Sequence, residues 1–146
     1  MKIYLDVCCL NRPFDDQTQD KIRLESEAII SIFTHVVDKS WNLIGSDIVD
    51  FEISKIPDPT RKDKVNNLIK NMHHKVKLNP NIIKRAKNIQ LLGINSMDAL
   101  HIASAESSEA VIFLTTDLDI LKKYQNNRNN IFIKIENPLT WIIERL

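Results

Sequence analysis

Along the chain, short continuous apolar runs alternate with longer stretches in which apolar residues recur every three or four positions. The first pattern marks buried strands and the second amphipathic helices. Ile3-Tyr4-Leu5 predicts a strand over Lys2 to Leu5, ending at Asp6. Val7 to Gln17 has no clear period and contains Asn11, Arg12, Pro13 and Asp15-Asp16, so a loop is expected there. From Thr18 to Lys39, Ile22, Ala28-Ile29, Ile32-Phe33 and Val36 recur at helical spacing. Trp41 to Ile44 predicts a second strand. Ser46 can then cap a helix through Ile56, with Asp47 favourably placed in its first turn. Pro57-Asp58-Pro59 interrupts the chain. Two helices follow, Thr60 to His73 and Pro80 to Leu92, joined by Lys75 to Asn79. Asn95 or Ser96 caps the next helix, whose Met97, Ala99, Leu100, Ile102, Ala103 and Ala105 predict burial on most sides. Ala110 to Leu114 is a continuous apolar run, as in a central parallel strand. A short helix over Asp119 to Tyr124, a polar loop over Gln125 to Asn130 and a last strand over Ile131 to Ile135 come next. Pro138 opens a closing helix through Ile143.

Strands that alternate with helices imply an α/β fold with a parallel sheet and right-handed crossovers. The 146 residues are expected to form a single domain. There is no internal repeat, and Pro57 to Pro59 is too short to be a linker.

Composition changes this picture mainly by exclusion. At 43% hydrophobic and 27% charged residues the chain has the make-up of an ordinary soluble domain. Gly45 and Gly93 are the only glycines, which excludes a Gly-rich phosphate loop and a dinucleotide fingerprint. The two cysteines, Cys8 and Cys9, are adjacent, so no disulfide framework exists and a reducing cytoplasm is the expected location. No apolar run approaches the roughly 18 residues of a membrane span. The first residues lack the apolar centre of a signal peptide, so no membrane association is expected. The net charge of +1 favours no partner class by itself. Its distribution is uneven, because Lys55 to Lys87 holds ten of the twenty Lys and Arg residues against only Asp58 and Asp63. Such a segment suits a polyanion, and equally suits the solvated face of two surface helices.

The acids carry the candidate chemistry. Asp6 and Asp117 are predicted at the C-terminal ends of strands, where open α/β sheets bind ligands. Glu52 shares a helical face with Ile48, Val49 and Ile56, and a carboxylate on an apolar stripe needs a partner or a cation. Asp98 falls in the first turn of a buried helix. Each has an ordinary structural role available: a turn for Asp6, a pairing with Lys55 for Glu52, dipole complementation for Asp98, an N-cap for Asp117 and first-turn polarity for Asp119. Taken together, clustered carboxylates repel unless protonated or bound to metal, and all-oxygen ligands select Mg²⁺ or Mn²⁺. Such ions activate water and stabilise phosphodiester displacement. His101, one turn after Asp98, is expected to be a core residue bonded to a backbone carbonyl. Cys8 and Cys9 are expected to pack, and His73-His74 to lie at the surface.

These residues resemble a known family. KIYLDVCCLN at the start, DFE at 50 to 52, MDALHIASA at 97 to 105 and FLTTDLDIL at 113 to 121 are similar, in order and spacing, to the PIN domain, the nuclease fold of VapC-type toxins. The resemblance implies a three-layer α/β/α fold with a central, mostly parallel sheet. It further implies a Mg²⁺ or Mn²⁺ site and endonuclease action on RNA. The family's four acids match Asp6, Glu52, Asp98 and Asp117, which become the catalytic and metal-binding candidates, with Asp119 assisting the fourth. Many members follow the first acid with Ser or Thr, where a hydroxyl can bond it; here Val7 and Cys8 follow. Asn11 is a polar stand-in and, with Arg12, the candidate contact to substrate. VapC-like proteins also imply a homodimer and a small antitoxin partner. Two alternatives stay open: a PIN-like module that binds RNA or protein without cutting, and a phosphatase-like α/β domain built on Asp6. The second is disfavoured by Cys8, which stands where such phosphatases carry another aspartate.

Overall fold

A computed structural model describes residues 1–38 and 40–146. Five strands, β1 (Lys2–Leu5), β2 (Asn42–Ser46), β3 (His74–Val76), β4 (Ile112–Leu114) and β5 (Ile135–Glu136), form one sheet in the order β3-β2-β1-β4-β5. Every pairing is parallel. Helices fill the crossovers: α1 (Val7–Asn11), α2 (Asp20–Val37), α3 (Asp47–Ser54), α4 (Pro59–Leu68), α5 (Pro80–Gln90), α6 (Ser96–Ser107), α7 (Leu118–Asn126) and α8 (Pro138–Ile143). The architecture is the expected three-layer α/β/α sandwich, with a wholly parallel sheet.

The centre of the sheet is buried on both faces, which is why its sequence is apolar without alternation. Ile3, Tyr4 and Leu5 of β1 and Phe113 and Leu114 of β4 have no exposed surface. Around them, α2 buries Ala28, Ile29, Ile32, Phe33 and Val36, so the periodic face of that helix is core. Ile30 and Val37 stay exposed on its outer side. Most helices begin where a short polar side chain can accept a backbone N–H. Ser46, Asp58, Asn79, Asn95, Asp117 and Asn137 do so for α3, α4, α5, α6, α7 and α8. Gly93, at φ +89°, turns the chain between α5 and α6, a backbone conformation that side chains with a Cβ avoid.

Several boundaries differ from the sequence expectation. Val7 to Gln17 is not an open loop: Asp6 starts α1, and Arg12–Phe14 continues as a 3₁₀ turn. The helix expected from Thr18 to Lys39 runs over Asp20–Val37, and its expected end at Lys39 lies outside the described residues. The helix expected through His73 stops at Leu68, and His74–Val76 becomes the edge strand β3. Three residues are too few to show a period, and pairing with Ile44 to Ser46 decides their conformation. The last strand is confined to Ile135–Glu136, which are in register with Phe113 and Leu114 of β4, and the Lys134 carbonyl accepts the Phe113 N–H at the strand's start.

Consecutive strands run outward from β1 to β2 and β3, and then from β4 to β5 on the other side. The connections after β1 and β4 therefore leave in opposite directions. The crevice between the C-terminal ends of these two strands is a topological switch point, the usual ligand position in open α/β sheets.

Candidate metal centre

The register of the sheet builds the first part of the site. Leu5 is opposite Leu114, so the next residues, Asp6 and Thr115, lie side by side at the switch point. The Asp6 N–H continues the ladder to the Leu114 carbonyl at 3.0 Å. Its carboxylate is almost wholly buried, at 5% exposure, and has only neutral donors. The Val7 N–H reaches Oδ1 at 2.8 Å, the Thr115 hydroxyl reaches Oδ2 at 2.8 Å, and the Cys8 thiol lies 3.4 Å from Oδ2. The hydroxyl that many PIN domains place just after the first acid is thus supplied here from β4. Cys8 does more than pack, because its sulfur also accepts the Thr116 N–H at 3.4 Å. Burial raises the Asp6 pKa, an effect partly offset by nearby His101 and the Thr115 hydroxyl.

Helix α3 brings Glu52. Its neighbours Asp47 and Asp50 are engaged elsewhere, Asp47 by the Leu78 N–H at 2.9 Å and Asp50 by Lys75. Glu52 instead bonds through Oε1 to Nε2 of His101 on α6, not to Lys55, which lies over the Phe51 ring. Asp6, Glu52 and His101 each offer one donor atom within 4.8 Å of the others. Two carboxylates at that spacing fit a divalent cation, with the imidazole bonded to Tyr4 and Glu52 through both ring nitrogens.

Asp98 and Asp117 complete the acidic surroundings. Asp98, half-buried in the first turn of α6, accepts a bond from Asn95 Nδ2 at 2.7 Å. Its pKa is raised to about 6 by burial first, then by the charges of Asp6 and Asp117. Asp117 is also the N-cap of α7, accepting the Asp119 and Ile120 N–H groups at 2.9 and 3.4 Å through Oδ1 alone. Its backbone N–H bonds the Thr115 hydroxyl at 3.1 Å, so Thr115 links the turns that carry Asp6 and Asp117. Asp119 is exposed and pairs with Lys123 at 2.9 Å. Among the described residues, no lysine or arginine forms an ion pair with Asp6, Glu52, Asp98 or Asp117.

The two substrate candidates are held within the fold. The Asn11 amide donates to the Val7 carbonyl at 3.2 Å. Arg12 donates to Asp15 at 3.1 Å and lies 3.0 Å from the buried Glu25 carboxylate. The basic segment is only partly engaged by the fold, Lys75 pairing with Asp50 and Lys62 donating to the Ser54 carbonyl at 3.2 Å. Arg61 grips Asp15 and the Phe14 carbonyl, and Arg85 forms a two-pronged pair with Glu106. Lys64, Lys70, Lys77, Lys84 and Lys87 are exposed.

His101 departs from the expectation of a backbone carbonyl partner. It is fully buried, and its Nδ1 lies 2.7 Å from the Tyr4 hydroxyl. A helix engages its own carbonyls, so an inward-facing ring must find partners on other elements. Tyr4, Ser46 and Thr115 are site residues the sequence reading did not single out. The available signals were a phenol in the central strand, whose hydroxyl needs a partner when buried, and a Thr-Thr-Asp run at a strand end.

The fold has solved counterparts. The chain is similar to VapBC2 from Rickettsia felis bound to a DNA fragment from its promoter, with TM-score 0.59 and 14% identity, over 94% of this chain and 98% of that one. It is similar to VapBC-1 from nontypeable Haemophilus influenzae, with TM-score 0.55 and 13% identity, over 94% and 98% of the two chains. No curated protein matches the sequence significantly. The PIN domain model matches residues 3–126 and so spans β1 through α7, every element that carries one of the four acids. The chain belongs to the PIN domain family.

Proposed function

We propose that the protein is a metal-dependent endoribonuclease and the toxin of a toxin–antitoxin pair. One observation carries this reading: Asp6 and Glu52 lie within ligand distance of one another, with Asp98 close enough to share its field with Asp6, Asp117 and Glu52. Asp6, Glu52, Asp98 and Asp117 would hold Mg²⁺ or Mn²⁺, with Asp119 assisting from the first turn of α7. When bound, such an ion supplies Lewis acidity towards a phosphodiester and acidifies a water. Asp6 is fixed by Val7, Thr115 and Cys8 and needs little rearrangement. Glu52, whose Oε2 has no protein partner among the described residues, orients the attacking water. Asp98, like Asp6, has a pKa raised by burial, which favours its protonated form in the absence of a cation. The exposed lysines of the basic segment hold RNA phosphates. Asn11 and Arg12 shape the substrate side of the site, Arg12 held by Asp15 and Glu25.

The likeness to VapBC structures supports an antitoxin partner, and the proposal includes a homodimer. No described helix is long and apolar enough to cross a membrane, which is compatible with the proposed cytoplasmic site of action.

The test is cleavage of a mixed single-stranded RNA pool by purified, antitoxin-free protein in Mn²⁺, Mg²⁺ or EDTA, beside Asp98→Asn. Cutting is expected with metal, to cease in EDTA, and to fall by about 100-fold or more in the variant, the scale on which loss of one preorganised charge acts. Cutting that survives in EDTA or in the variant refutes the proposal. RNA retained without turnover assigns the chain to the non-cutting binding modules.

A further inference from the structure

We infer that His101 is a positioning residue for Glu52, through a string of side chains that joins β2, β1, α6 and α3. The string runs Ser46–Tyr4–His101–Glu52. Ser46 Oγ and the Tyr4 hydroxyl are 2.7 Å apart, Tyr4 and His101 Nδ1 are 2.7 Å apart, and His101 Nε2 ends on Glu52 Oε1. Ser46, Tyr4 and His101 have no exposed surface, whereas Glu52 retains 30% exposure.

The donor logic is directional. An ionised carboxylate only accepts, so Nε2 is the imidazole nitrogen that carries a proton towards Glu52. A neutral ring then accepts at Nδ1 from Tyr4, and Tyr4 accepts from Ser46. Ser46 Oγ is in turn the acceptor of the Val49 N–H at 3.0 Å, which caps the helix that bears Glu52. The Tyr4 ring is itself fixed by stacking on Phe113, with centroids 5.3 Å apart.

The two middle members of the string lie on the segments that carry Asp6 and Asp98. Tyr4 is two residues before Asp6 on the central strand, and His101 is one turn after Asp98. The string therefore sets the Glu52 carboxylate relative to the two acids that flank it in sequence. A half-exposed glutamate has several rotamers to lose when it is fixed. His101 removes that freedom before any ligand arrives and engages Oε1 alone, so that Oε2 has no protein partner among the described residues. This follows the general pattern in which a buried hydrogen-bond partner orients a metal-binding side chain.

The inference rests on the metal-centre reading above, so its test has a readout that needs no RNA. Mn²⁺ affinity is measured by the loss of the free-ion EPR signal for wild type, His101→Leu, His101→Gln, Tyr4→Phe, Glu52→Gln and the double variant His101→Leu/Glu52→Gln. Circular dichroism and thermal melting identify the folded variants. His101→Leu keeps the volume and removes the donor, so Mn²⁺ affinity should fall about 10- to 100-fold. His101→Gln keeps an N–H near the Nε2 position and should recover most of the loss. Tyr4→Phe should give a smaller weakening. The double variant should bind no more weakly than Glu52→Gln alone, since His101 acts through Glu52. In cleavage assays kcat should fall with the RNA KM nearly unchanged.

Folded His101→Leu with wild-type Mn²⁺ affinity overturns the inference, as does a loss additive with that of Glu52→Gln. If His101→Leu does not fold, Tyr4→Phe and His101→Gln decide: wild-type affinity in Tyr4→Phe, or no recovery in His101→Gln relative to Glu52→Gln, overturns it. Wild-type protein that binds Mn²⁺ and cuts no RNA refutes the nuclease reading and leaves the positioning role standing. Cutting that is intact in His101→Leu does the reverse.

Discussion

Two carboxylate clusters in this molecule are built on opposite electrostatic plans. In the first, Glu25 is 1% exposed and meets Arg12 at 3.0 Å and the Asn137 amide at 2.6 Å, while Asp15 is gripped by Arg12 and Arg61. The charges are neutralised by the fold itself, and they tie the Arg12–Phe14 turn to α2, α4 and the start of α8. In the second, Asp6, Glu52, Asp98 and Asp117 have hydroxyl, thiol, imidazole, amide and backbone donors but, among the described residues, no guanidinium or ammonium. Burial first, and then the charges of Asp6 and Asp117, raise the Asp98 pKa to about 6. The same residue type is thus a joint where a cation is built in and a site where one is not. Burying a charge without a counter-charge costs stability, and proteins tolerate that cost chiefly where it serves chemistry.

The sharpest way to break the comparison is to remove one acid from each cluster. Glu25→Ala should destabilise the protein by about 3 kcal/mol, because it leaves Arg12 buried against a lost partner. Chemical denaturation measures this. A Glu25 variant of unchanged stability would mean that the first cluster is not the joint described.

Asp98→Asn should act in the other direction. An ordinary unfolded Asp titrates near 3.9, and Asp98 in the fold near 6, so folding favours its protonated form. The stability that this group contributes is complete below about pH 4 and is lost as pH rises through 6. Asparagine stays neutral throughout. The metal-free variant should therefore exceed wild type by about 1 kcal/mol at pH 7.5, a figure already reduced for partial solvent exposure. The gain should shrink to nothing by about pH 4. Thermal melts in EDTA across that range would show it, and a destabilised variant at pH 7.5 would contradict the plan of the second cluster.

Asp119→Asn should have the smallest effect. Its pair with Lys123 is an exposed one-turn contact, worth no more than about 0.5 kcal/mol. Cleavage is expected to fall less than threefold. A loss comparable to that of Asp98→Asn would move Asp119 from an assisting place into the centre of the site.

The acids were legible because each carries a local sign. Asp6 and Asp117 follow apolar strands, Asp98 follows an Asn cap, and Glu52 lies on an apolar helical stripe. The N-cap role foreseen for Asp117 is present as well, since capping occupies one carboxylate oxygen only. Short elements were not legible. His74–Val76 has no period of its own and is a strand because β2 offers an edge. Likewise, Ile131 to Ile135 is apolar enough for a longer strand, but β4 pairs with only Ile135 and Glu136.

What the sequence alone determined is therefore what depends on neighbours along the chain: the alternation of strand and helix, the caps, the parallel sheet and the family pattern of acids. The tertiary structure decided everything that depends on neighbours across it. Register placed the Thr115 hydroxyl on Asp6, where a sequence reading looks for one at position 7 or 8. Packing gave Glu52 to His101 and not to Lys55, and joined that histidine to Tyr4 and Ser46. It also distinguished Arg61, Arg85 and Lys75, engaged by acids of the fold, from lysines such as Lys70 and Lys84 left in solvent. Spacing encodes local geometry, whereas hydrogen-bond partners tens of residues apart are fixed only when sheet register and helix packing bring their elements together.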